Sequence, residues 1–225
     1  MPAFGDYREV MEMLRVRLGI PAAPFAGEHG GLDVDLVQAL AEKLGVAVEF
    51  VAAEAEHDCA TGTPGTSEQE KQALLLPPYV ISGQALAVDT RRLPHVRSVE
   101  DLAGLTIGVL RGGTSQQFAE RLVADGKAGA VRLYDHDGIG TALTSETCDA
   151  LIALEPVLAA LERPVEVVQR GLTVEEIAIA VSPGDQALVG RLTVAQAELE
   201  ADGTLQEIRR KWLGNPYADQ SLAAH

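Results

Sequence analysis

The sequence predicts an α/β protein of two lobes, built on mostly parallel sheets with helices on both faces. Three observations carry this. Residues 14–51 read as one βαβ unit, β and α segments alternate again from Leu105 to Val168, and two long amphipathic helices close the chain. A length of 225 residues suffices for two lobes of roughly 100 residues each. No run of about 18 apolar residues is present that could span a membrane, so the chain reads as soluble and globular.

In the first unit, the apolar run Leu14 to Ile20 predicts a strand. Val37, Leu40, Ala41 and Leu44 then recur at helical spacing, with Asp35, Gln38, Glu42 and Lys43 on the opposite face. Asp33 stands where an N-cap belongs and Gly45 where a left-handed C-terminal cap belongs. Val46 to Val51 supplies the second strand. The loop Pro21 to Gly31 leaves the carboxyl end of a parallel strand, where open α/β sheets hold ligands, and is the first place to expect a site.

From Ala52 to Ala73 the chain is polar and rich in Gly, Thr and Pro, which predicts a loop with one helical turn at 67–72. Ile81 to Asp89 reads as a strand leaving the first lobe. Ser98 and Asp101 form a capping-box pattern for a short helix ending near Gly104. Strands at Leu105–Leu110, Val131–Tyr134, Ala150–Leu154 and Val165–Val168 enclose helices at Gln116–Val123 and Pro156–Leu161, and Ile177–Val181 is one more apolar strand. A long helix begins near Asp185, with Leu188, Leu192, Ala195 and Leu199 on one stripe. The last helix has Thr204 and Glu207 as a capping box and Leu205, Ile208 and Trp212 as its apolar face. Arg209, Arg210 and Lys211 fill its last turn, Gly214 caps it, and Pro216 lies beyond.

Eighteen basic against 33 acidic residues, a net charge of −15, exclude a nucleic-acid or anionic-membrane surface, because the overall field repels polyanions. Cys59 and Cys148 fall in different lobes and are expected as free, buried thiols. Residues 1–13 show no basic start followed by an apolar stretch, so no secretory signal is expected within them. No nucleophile elbow, Walker loop or HExxH helix occurs, and neither cofactor nor metal is expected. Glu54, Glu56, His57, Asp58 and Cys59 are dense in metal-ligating types. Neighbours on an extended chain point to opposite sides, so a solvated acidic loop is the plainer role. Asp135, His136 and Asp137 pose the same question at the end of a strand.

Between a strand and a helix, Gly112, Gly113, Thr114 and Ser115 form a loop whose backbone N–H groups and helix dipole suit an anion, with Arg111 adjacent as a candidate cation. Phe25, after Pro24, is one of only nine aromatic residues and is a candidate wall of the site.

These segments also carry a resemblance. LRV…PF…GLDVDLVQALAEKLGVAVEFV, PPY…SGQALAV, SVEDLAGLTIGVLRGGTSQQF, CDALIA, IAIAVSPGD and LEADGTLQEIRRKWLG resemble, in order and spacing over Leu14 to Gly214, the bacterial extracellular solute-binding proteins of the polar amino acid type (family 3, type II periplasmic-binding fold). The resemblance implies a bilobed receptor. Lobe 1 would comprise residues 14–87 plus 180–225 and lobe 2 residues 88–179, with 1–13 an extension. Strands near Ala85–Asp89 and Ile177–Val181 would form the hinge. It further implies a periplasmic or extracellular monomer that closes on a small-molecule solute and hands it to a membrane ABC transporter permease.

Two departures qualify this. Only about six residues, AEAEHD, separate the Val46–Val51 strand from the segment CATGTPGTSEQEK. That is too few for a parallel crossover, so lobe 1 is expected to lack a helix there and to rearrange its sheet, unless residues are omitted from the sequence. The family's carboxylate-clamping arginine corresponds to Gln69, and its ammonium-pairing aspartate to Leu154 with Glu155 beside it. A standard α-amino acid is therefore not the expected ligand. The candidate set is Phe25, Thr63, Gln69, Arg111, Gly113, Thr114, Ser115 and Glu155. Two rival readings remain. One is an accessory protein without solute binding, partnered with a periplasmic quinoprotein dehydrogenase. The other is a small-acid dehydratase-like lyase, with Glu155 as general acid.

Overall fold

Alternation along β1 (Met13–Arg17) buries Leu14 and Val16 and leaves Arg15 and Arg17 half-buried on the other face. The computed structural model to which β1 belongs describes residues 12–65, 73–139, 141–143, 145–162 and 165–215; the predicted turn at 67–72, Gln69 and Pro216 lie outside these. Helix α1 (Leu32–Leu44) covers the sheet with Leu36, Val37, Leu40 and Ala41, and stops at Gly45 in the left-handed conformation, φ 67°. Its start differs from expectation. Gly31 occupies the N-cap position, and the N–H groups of Leu32 and Asp33 donate to the carbonyls of Pro24 and Phe25 at 2.9 and 3.0 Å. The loop itself satisfies the helix terminus, so the Asp33 side chain turns inward instead of capping.

β2 (Ala47–Val51) and β3 (Cys59–Pro64) both run parallel to β1, one on each side of it. The short connection thus does cross over, which corrects the expectation. Register explains how. β2 ends with Val51 opposite Arg17, while β3 begins with Cys59 opposite Val16, so the chain steps sideways over one strand and has no sheet length to retrace. Seven extended residues reach roughly 23 Å against the ~10 Å between second-neighbour strands. Asp58 anchors the step, accepting from the Arg15 N–H at 2.7 Å and from its guanidinium at 3.1 Å.

The first sheet is completed by β4 (Leu74–Leu75), β5 (Val80–Ser82) and β11 (Glu175–Val181), all antiparallel within it. The second runs β10-β6-β9-β7-β8, from β6 (Gln84–Asp89), β7 (Thr106–Leu110), β8 (Ala130–Tyr134), β9 (Ala150–Leu154) and β10 (Val165–Gln169). Both sheets are mixed rather than mostly parallel, because β6 and β11 enter them by passing from one sheet to the other. α2 (Thr114–Ala124), α3 (His136–Ile139) and α4 (Glu155–Ala159) belong to the second unit; α5 (Gln186–Ala201) and α6 (Thr204–Leu213) pack on α1.

β6 buries both faces, Ala85 and Ala87 towards one core and Leu86 and Val88 towards another. The expected hinge strands are therefore interior members of their sheets. The chain passes between the two sheets at Gly83 and at residues 170–174. There the Leu172 N–H donates to the Gln84 carbonyl at 2.9 Å and the Gln84 N–H to the Thr173 hydroxyl at 2.9 Å.

α5 begins near Asp185 as expected, with Asp185 as its cap accepting from the Leu188 N–H at 2.9 Å, and the Ser98–Asp101 capping box is formed. The Thr204–Glu207 box is not, because Gly203 takes the cap position and Asp202 accepts from the Thr204 N–H. Arg209 leaves the solvated last-turn set: it is buried, donating to the Tyr79 carbonyl at 2.7 Å and to Glu200 at 2.9 Å, since a buried guanidinium must be paired.

A Cβ at Gly83 would lie 1.9 Å from the Thr173 carbonyl oxygen. Gly83→Val should therefore cost about 1–3 kcal/mol in urea unfolding with an unchanged m-value, and wild-type stability in the variant would refute the close approach as a constraint.

Candidate functional site

The carboxyl ends of β1 and β3 meet at glycines. A Cβ on Gly19 would stand 2.2 Å from the Thr61 carbonyl oxygen, and one on Gly62, at φ 65°, would fall 2.7 Å from Ile20. Tyr79 fixes this junction from behind. Its hydroxyl accepts from the Gly62 N–H at 2.8 Å and donates to Asp33 at 2.8 Å, with both side chains fully buried. Burial pushes the Asp33 carboxyl up to about 7, against the smaller pull of the Thr61 and Tyr79 hydroxyls; its second oxygen has no bond.

In front of this wall is a cleft of about 550 Å³, lined on the first lobe by Arg17, Gly19, His57, Thr61 and Thr63 and on the second by Gly112. A smaller recess of about 170 Å³ shares Gly19, Gly62 and Gly112 with it and adds Arg111, Gly113, Thr114, Ser115, Leu154 and Glu175. Of the predicted residues, Thr63, Arg111, Gly113, Thr114 and Ser115 are thus brought together.

Phe25 and Glu155 are not. Phe25 is wholly buried in the core under α1 rather than forming a cleft wall, because its carbonyl is needed at the helix start. Glu155 begins α4, accepts from Arg170 at 2.8 Å, and faces a separate recess beside Pro24 and Trp212. Gln69 lies outside the described residues. Arg111 is exposed and pairs with Asp135 at 3.4 Å.

The hydroxyls of the anion loop are bonded from within. Gln84 donates to Thr114 at 3.0 Å and to Glu175 at 2.7 Å, Ser115 donates to Gln84 at 2.7 Å, and Thr114 and Thr173 donate to Glu175 at 2.8 and 2.9 Å. The Gly112 N–H donates to Gln116 at 2.8 Å. Glu175 and Gln84, at the two crossings, were not legible as site residues, since neither spacing nor motif sets them beside Thr114.

Arg17 was also missed. It lines the cleft, forms no ion pair among the described residues, and has its Nε buried without an acceptor. The signal for it was an arginine at the carboxyl end of an otherwise apolar parallel strand. Among the described residues no group of three or more His, Cys, Asp or Glu side chains converges as a metal site. Cys59 and Cys148 are free and buried as expected, and burial pushes the Cys59 thiol up to about 12, out of the reactive range.

Residues 20–215 match the family of bacterial extracellular solute-binding proteins, family 3. The chain is similar to the L-cystine-binding protein TcyJ of Escherichia coli K12, 26% identical over 86% of this chain and 79% of that one. It is also similar to the ABC transporter glutamine-binding protein GlnH of Bacillus subtilis, 25% identical over 84% and 75%. Among solved structures, an ancestral arginine-binding protein bound to arginine superposes with TM-score 0.81 at 30% identity over 90% of this chain and 98% of that one. The ancestral amino acid-binding protein AncCDT-1, a precursor of cyclohexadienyl dehydratase, does so with TM-score 0.79 at 28% identity over 89% and 94%.

Two predictions follow from the wall and the crossing. Asp33 ionises at 3.8 in the unfolded chain and at about 7 when folded, so the unfolded state alone loses its proton between those values and stability falls as pH rises from 4 to 7. Asp33→Asn removes that slope, so the melting temperature of the wild type relative to this variant should decline across pH 4–7 and level off above. A constant difference would show that Asp33 ionises normally. Glu175→Ala leaves one hydrogen of the Gln84 amide and two threonine hydroxyls without their acceptor and should cost about 1–3 kcal/mol in urea unfolding, whereas a change below about 0.5 kcal/mol would show the network to be ornamental.

Proposed function

Because the chain belongs to the bacterial extracellular solute-binding proteins of family 3, we propose that it closes on a small polar or anionic solute other than a standard α-amino acid and presents it to a membrane ABC transporter permease. The observation that carries this is Leu154 in the recess, where an ammonium would need a carboxylate. Glu175, the carboxylate in the recess, is held by hydrogen bonds from Gln84, Thr114 and Thr173 at the crossing between the sheets. An open cleft of about 550 Å³ between the lobes favours a receptor over an accessory protein. The bond between Glu155 and Arg170 outside the cleft speaks against the lyase reading, since that carboxylate was its general acid. Work outside the cytoplasm accords with the family.

Closure would swing the sheets about Gly83 and residues 170–174, driven by contacts made only in the closed state. In thermal-shift and small-angle scattering measurements, a solute without an α-amino acid moiety should raise the melting temperature and reduce the radius of gyration, while arginine, glutamine and cystine at millimolar concentration do neither. Compaction by a standard α-amino acid alone would sink the reading of the ligand, and co-purification of a dehydrogenase without any solute binding would favour the accessory role.

A further inference from the structure

We infer that Arg17 is the anchor for a carboxylate of the solute, and that the solute is a small organic acid anion without an ammonium group. This rests on the receptor reading above and names its ligand class. The contrast between two arginines on one face of β1 carries it. Arg15 is paired with Asp58 at 3.1 Å and Glu56 at 3.3 Å. Arg17, two residues on, has no carboxylate, carbonyl or hydroxyl partner among the described residues, and its Nε is shut off from solvent. An arginine that lines the cleft and stays unpaired among the described residues, in a protein with 33 acidic residues, points to an acceptor that arrives with the ligand.

The lining agrees. Among the described residues lining the cleft there is no Asp or Glu, and the carboxylate of the adjoining recess, Glu175, is held by Gln84, Thr114 and Thr173, although the net charge of the chain is −15. His57 is the other ionisable group there. Its Nδ1 lies 3.0 Å from the Ala55 carbonyl, which can only accept, so Nδ1 carries the proton and Nε2 remains for a hydroxyl of the ligand or, once protonated, for a second carboxylate oxygen. A guanidinium meets a carboxylate through two parallel hydrogen bonds, which Lys cannot reproduce. An ammonium in this cleft would meet Arg17 as a like charge.

Isothermal titration tests this with pyruvate, lactate, succinate and 2-oxoglutarate beside lactamide, succinamide, arginine and glutamine. At least one acid should bind, with its amide at least about tenfold weaker. Arg17→Gln should weaken that acid roughly tenfold to a hundredfold, Arg17→Lys less, and Arg15→Gln not at all. Circular dichroism checks that each variant is folded; if Arg17→Gln is not, the acid-against-amide comparison on the wild type decides. Acid binding that is unchanged in folded Arg17→Gln overturns the anchor. Binding of an amide or an amino acid, with none of the acids, overturns the anionic ligand and leaves the receptor standing. If nothing in either set binds, both readings fall together.

Discussion

The hydrogen-bonded chain from Gly62 through Tyr79 to Asp33 is the constraint on which the first lobe depends. It joins three segments distant in sequence: the start of α1, the residue before β5, and the cleft end of β3. The Tyr79 carbonyl extends it to α6 through Arg209, which Glu200 neutralises. In a low-dielectric interior each unmet polar group of such a network costs about 1–3 kcal/mol. Asp33 keeps one oxygen unmet, and burial pushes its carboxyl up to about 7. The strain of that burial sits beside the wall of the cleft, not in the core of the second lobe.

Staggered register has a comparable reach. Because β3 starts where β2 ends, the connection of residues 52–58 stays on the side of the carboxyl ends of the strands and carries His57 to the edge of the cleft. A connection that went back down the sheet through a helix would begin β3 at the other end. The acidic loop is thereby put to structural use. Asp58 completes the edge of β1 at Arg15, and Arg15 is consumed there while Arg17 is not.

Charge is distributed against the mean. The surface field of a chain at −15 opposes the approach of anions, but at physiological ionic strength it is screened beyond about 8 Å. Inside the cleft Arg17 is the nearest charge, and local geometry outweighs the distant surface. The carboxylate that does enter the recess, Glu175, is tied to Gln84, Thr114 and Thr173 and so belongs to the crossing between the lobes.

The amino-acid sequence by itself determined the order of strands and helices, the two-lobed family, the stop of α1 at Gly45, the start of α5 at Asp185 and the free buried cysteines. Periodicity, capping chemistry and residue size act over a few positions, and those are legible in one dimension. Pairing was not. Whether Asp33 caps a helix or bonds Tyr79, whether Arg209 is solvated or buried on Glu200, and whether Arg111 or Arg17 offers a free charge to the cleft depend on partners tens of residues away. The tertiary structure alone decided these, because an unmet buried donor or acceptor takes whichever partner the fold brings within about 3 Å, and spacing along the chain says nothing of that distance.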